Sequence, residues 1–167
     1  MGKEVKTNAM RILDKNKIPY EILNYECGEF IDGLHTAEAT GAPVEQSFKT
    51  LVMQGKSRQY YVFVIPIADE VDLKAAARAV GEKSVEMIHV KDITAITGYV
   101  RGGCSPLGMK KQFPTIVHES AAAFDKIYIR ADASAPPSRS IRIPCLPWCA
   151  ASMPTSSGMS KFFFHLL

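Results

Sequence analysis

SFKTLVMQGKSRQYYVFVIPI, residues 47–67, decides the fold. Ser47–Gln54 and Tyr60–Ile67 are rich in β-branched and aromatic residues, and both read as strands. The polar link GKSRQ between them predicts a hairpin. Side chains alternate along a strand, so Phe48, Thr50 and Val52 share one face of the first. Lys49, Leu51 and Met53 share the other. The second strand is apolar on both faces, which predicts a place in the middle of a sheet.

Short elements flank this hairpin on both sides. Val5, Ala9, Ile12 and Leu13 recur at helical spacing and predict a helix over residues 5–16, capped at or before Thr7 and ended by Asn16 and Pro19. Tyr20–Tyr25 reads as a strand. His35–Gly41 reads as a helical turn, with Thr36 at its start and Gly41 at its end. Downstream, Asp72 caps a helix that Gly81 stops, with Leu73, Ala76, Ala77 and Val80 as its buried stripe. Val85–Met87 reads as a strand and Lys91–Thr97 as a short helix stopped by Gly98. Thr115–His118 and Lys126–Ile129 read as strands around a small helix, Ser120–Phe124. Strands and helices do not alternate regularly. The fold class is therefore α+β with a mixed, largely antiparallel sheet, not a doubly wound nucleotide fold.

The 167 residues suit one domain, and 47% hydrophobic content is enough for a core. The N-terminal stretch is charged and lacks the apolar core of a secretory signal, and no apolar run is long enough to span a bilayer. The expected location is cytoplasmic, with no membrane partner. Cys27, Cys104, Cys145 and Cys149 are then expected to stay reduced. Residues 1–129 carry sixteen basic and sixteen acidic side chains, so the net charge of +3 arises beyond Ile129. A global field for nucleic acid is excluded in the body, and contact with RNA has to come from local patches. Nothing points to DNA.

Two places carry candidate chemistry. Lys49 stands on an apolar strand face, where a lysine either snorkels to the rim or is held in a pocket by an anionic or carbonyl partner. The loop Gly102-Gly103-Cys104-Ser105-Pro106-Leu107-Gly108 combines glycines, which permit close backbone approach, with a stiffening proline. Its successive N–H groups suit an oxyanion or a phosphate, although an ordinary tight turn has the same composition. It matches neither the dinucleotide fingerprint nor the P-loop. Cys104 as a nucleophile with His118 as base is a separate reading, and Cys145 with Cys149 is half of a zinc site at most. No metal and no cofactor are expected. Arg101, Lys110 and Lys111 flank the loop, and Lys56 and Arg58 lie in the hairpin link. These are either solvated charges or phosphate contacts.

EQSFKTLVM (45–53), VDLKAAARAVGEKSVEM (71–87), LDKNKIPYEILNYE (13–26) and TGYVRGGCSPLGMKKQFPTIVHESAAAFDKIYI (97–129) occur in one colinear order. Together they resemble the YbaK/prolyl-tRNA synthetase-associated editing domains over about three-quarters of the chain. The resemblance implies a compact, barrel-like sheet with short helices around it. It implies an aminoacyl-tRNA deacylase that clears mischarged tRNA, most similar to the free-standing type acting on Cys-tRNA(Pro), with prolyl-tRNA synthetase as a transient partner. By the same resemblance Lys49 is the lysine needed for activity. Gly102 and Pro106 bound the Gly-x-x-x-Pro loop, with Gly103, Cys104 and Ser105 inside it. Tyr25 and Thr50 lie by the pocket. In cysteine-clearing members the substrate's own thiol is thought to attack its ester. A non-catalytic module that binds tRNA or a synthetase is the alternative.

The resemblance stops near Ile129, which divides the chain into an editing domain, 1–129, and a divergent tail, 130–167. Relatives continue with a Ser/Gly-rich turn, a GKRG-like segment, a strand and a closing helix, which add a serine and an aspartate to the pocket. RADASAPPSRSIRIPCLPWCAASMPTSSGMSKFFFHLL matches none of this. The tail holds five of the ten prolines and no periodic pattern. A poorly ordered end or a shifted reading frame accounts for so abrupt a change.

Overall fold

The computed structural model describes residues 6–25, 33–99, 104–111, 113–130, 138–144 and 162–163. Helix α1 (Asn8–Lys15) starts where Thr7 accepts a hydrogen bond from the Met10 amide and ends at Asn16. It presents Ala9, Met10 and Leu13 to the core. Strand β1 (Glu21–Tyr25) follows, then α2 (Gly33–Thr40). Helix α2 begins three residues before Thr36, which therefore lies inside it rather than at its start. Gly41 closes it at φ +70°, a backbone conformation that glycine adopts without steric cost.

The hairpin forms as the alternation predicts. Strands β2 (Phe48–Gly55) and β3 (Tyr60–Pro66) pair antiparallel, with Lys49 opposite Ile65 and Gln54 opposite Tyr60. Strand β3 has neighbours on both sides and residues 61–66 are all buried. Helix α3 (Leu73–Val80) is capped by Asp72, whose carboxylate accepts from the Lys74 and Ala75 amides at 3.0 Å. Its buried face is Ala75, Ala76 and Ala77, while Leu73 is 46% exposed. The helix turns its alanines inward and lies close on the sheet, leaving the larger Leu73 outside.

Strand β4 (Val85–Met87) pairs with β2. The expected helix over 91–97 is a 3₁₀ turn at Val90–Asp92 running into α4 (Ile93–Thr97), and Gly98 ends it at φ +81°. Strands β5 (Thr115–His118) and β6 (Lys126–Arg130) flank a 3₁₀ segment, Glu119–Ala123. Two further strands form in the stretch that the sequence pattern left unstructured: β7 (Ser138–Pro144) and β8 (Phe162–Phe163).

One sheet has the order β4-β2-β3-β5-β8 and the other β1-β7-β6. Pairing is antiparallel except between β3 and β5, and a bridge from Ser47 to Tyr128 links the sheets. Strand β7 is the centre of the smaller sheet, where Ile141 is in register with Ile22 on one side and Ile129 on the other. Its local pattern is weak, and two partner strands supply the pairing that propensity does not. Two cores result. Phe48, Val64 and Val117 of the larger sheet pack with Ile127 and Ile129 of the smaller one, with α1 and with Leu107. Met53, Phe63 and Ile65, on the opposite face, pack with α3.

Candidate active site

Strand alternation places Lys49 on the face shared with Leu51 and Met53, toward α3, and near the start of β2. The side chain is half-buried. Its ammonium donates to the Ile67 carbonyl at 3.5 Å, a long contact at the limit of hydrogen bonding. That carbonyl lies just past the end of β3. An ammonium has three donors, so Lys49 keeps capacity for a carbonyl or phosphate oxygen.

Thr50 points the other way, beside Phe48 and across from Val64. Its hydroxyl oxygen is buried and has no hydrogen-bond partner among the described residues. Such an atom carries a desolvation cost until something supplies a bond. Thr50 and Lys49 thus sit on opposite faces of one strand. Tyr25 ends β1 opposite Ser138. Arg101, Gly102 and Gly103 lie outside the described residues.

The second half of the glycine loop is described, and it is anchored. The Lys110 amide donates to the Thr97 carbonyl at 3.0 Å and closes the neck of the loop. The Thr97 hydroxyl donates to Ile93 O and accepts from the Tyr99 amide. The Tyr99 hydroxyl donates to the Leu107 carbonyl at 2.5 Å. Ser105 is fully buried, and its hydroxyl accepts from the Leu107 amide at 3.3 Å, so that side chain is used inside the loop. Pro106 is half-buried, and Lys110 and Lys111 are exposed at the base.

Burial pushes the Cys104 thiol up to about 11, with the neighbouring Thr97 hydroxyl a lesser, opposing influence. A thiol so protonated is a poor nucleophile at neutral pH. The His118 Nδ1 accepts from the Ser120 amide at 3.2 Å and lies 2.8 Å from its hydroxyl, capping the 3₁₀ segment. The pairing of Cys104 with His118 as nucleophile and base finds no support in this arrangement. Among the described residues no group of His, Cys, Asp and Glu could hold a metal ion. The residue that sequence reasoning passed over is Tyr99. Its signal was a tyrosine between a helix-stopping glycine and the loop, a weak one without tertiary context.

Residues 34–135 match the aminoacyl-tRNA editing domain family. A protein of Enterococcus faecalis named a Cys-tRNA(Pro)/Cys-tRNA(Cys) deacylase, EbsC, is 46% identical over 127 residues, covering 75% of this chain and 77% of that protein. A crystal structure described as a trans-editing enzyme for prolyl-tRNA synthetase has the same fold, with a TM-score of 0.66 at 21% identity, over 83% of this chain and 87% of that one. The protein APE2540 superposes with a TM-score of 0.70 at 16% identity, over 81% of this chain and 87% of that one. The chain belongs to the aminoacyl-tRNA editing domain family. It is an editing enzyme that acts on mischarged aminoacyl-tRNA.

Proposed function

We propose that the chain removes cysteine from mischarged tRNA(Pro), and also from tRNA(Cys). The 46% identity to a protein named for those two substrates carries this reading. An aminoacyl ester is already reactive, so positioning and oxyanion stabilisation supply most of the rate without a metal or cofactor. Lys49 holds the substrate carbonyl or the terminal phosphate, and the N–H groups of the Gly102–Pro106 loop receive the developing oxyanion. Tyr25 helps to line the pocket, whereas Thr50, expected there too, lies on the opposite face of β2 from Lys49 and does not share it. The substrate thiol, as thiolate, attacks its own carbonyl carbon. The ester C–O bond breaks, the tRNA 3′-oxygen leaves with a proton, and a cyclic thioester departs.

Lys110, Lys111 and Arg101 contact RNA phosphates. With a body of zero net charge, prolyl-tRNA synthetase selects the tRNA in a transient cytoplasmic complex. The editing domain, expected to end at Ile129, is completed by β7, which pairs with both β1 and β6, and beyond Ile129 a shifted reading frame replaced the family's usual end. Resequencing with intact-protein mass tests that last point, and a confirmed in-frame tail defeats it.

The experiment for the activity is incubation with Cys-tRNA(Pro), Cys-tRNA(Cys) and Ala-tRNA(Pro). Cysteine release as a thioester by the wild type and none by Lys49→Ala is the expected result. Binding of tRNA with no release by either protein would instead make the chain a non-catalytic module.

A further inference from the structure

We propose that Tyr99 is a positioning residue for the deacylation, fixing the Cys104–Gly108 arm of the loop against the first turn of α1. This rests on the editing reading above. The first amides of a helix have no partner within it. Thr7 satisfies Met10, and the Ala9 amide faces the Tyr99 hydroxyl. The same oxygen faces the Ser105 hydroxyl and donates to the Leu107 carbonyl. Leu107 in turn donates its amide to Ser105. Tyr99 and Ser105 thus bracket Leu107, one holding its carbonyl and the other its amide.

The group is dry. Tyr99 is 4% exposed, Leu107 2% and Ser105 0%. Gly108, at φ +76°, completes the fit. A Cβ there would lie 2.6 Å from the Asn8 Cβ and 2.9 Å from the Tyr99 hydroxyl. Losing the hydroxyl leaves the buried Leu107 carbonyl short of a partner, and the arm is free to shift. The cost falls on the geometry of the loop amides, which matters in the transition state more than in tRNA binding.

Tyr99→Phe keeps the ring and deletes the bond. Expected is a fall in kcat of about 10- to 100-fold with KM for Cys-tRNA(Pro) nearly unchanged. Hydrogen exchange of the Ser105–Lys110 amides rises by at least about 10-fold while that of β2 and β3 does not. Val85→Ala, a comparably destabilising change in the other core, serves as the control and retains the wild-type kcat and loop exchange. Wild-type kcat or unchanged loop exchange in Tyr99→Phe overturns the proposal, as does an equal loss in the control. A wild type that releases no amino acid defeats the editing reading itself, and this proposal with it.

Discussion

Lys49 and Tyr99 are held in place by opposite means. Lys49 rests on strand alternation: among the described residues its amine has one long contact at 3.5 Å, and its stem is half-buried. Tyr99 is buried, its hydroxyl holds the Leu107 carbonyl, and the neighbouring Gly108 lies close against Asn8 of α1. A group that must take hold of a substrate is left with donors to spare. A backbone that must not move is locked from behind. The difference teaches that loss of the first should harm activity without harming the fold, and disturbance of the second should harm both.

The largest expected effect tests the first half of that contrast. Lys49→Ala should lower kcat/KM by about 10²-fold or more, with a thermal midpoint equal to the wild type. A lowered midpoint would mean that the lysine braces the strand rather than waits at its rim.

Gly108→Ala probes the second half. The added methyl has to displace Asn8 or Tyr99, in a left-handed conformation as well. A loss of about 1–3 kcal/mol in urea unfolding is expected, with slower deacylation. Full stability would show that the loop base yields easily.

Asp72→Ala removes the cap of α3, which packs on the sheet face that carries Lys49. It should cost about 1 kcal/mol and leave deacylation intact, since Lys49 does not depend on a tight neighbour. Activity falling with stability would blur the contrast.

The smallest effect at neutral pH concerns titration. Burial holds the Cys104 thiol at about 11 and the Tyr99 phenol at about 12, above their ordinary 9.0 and 10.0. The unfolded chain loses these protons first, so their contribution is complete below pH 9 and is lost as pH rises toward 11–12. Unfolding free energy from these groups should be flat from pH 6 to pH 8.5 and decline above about 9. Cys104 should be alkylated at pH 8 far more slowly than a free thiol, as peptide mass mapping would read. Rapid alkylation would mean that the loop base opens.

Much of the fold was legible because its signals are local. Thr7 and Asp72 cap their helices, Gly81 and Gly98 stop theirs, and the hairpin follows from alternation. Helical residues that meet a neighbour were read less well. Leu73 was expected inside and stands outside, because the sheet under α3 accepts alanines at close range. Lys49 was legible as a candidate because a charge on an apolar strand face is conspicuous in one dimension. Tyr99 was not, since its partners, Ala9 and Leu107, lie ninety residues before it and eight after it in the chain.

By itself the sequence determined the hairpin, the caps and stops, the face on which Lys49 stands and the family, since each depends on neighbours along the chain or on colinear motifs. Only the tertiary structure decided that Ser138–Pro144 becomes the central strand of a second sheet, and that a tyrosine hydroxyl closes the base of the loop. The first rests on pairing with β1, far off in sequence, and the second on a side-chain bond that spans the loop. Such bonds leave no periodicity for a local pattern to reveal.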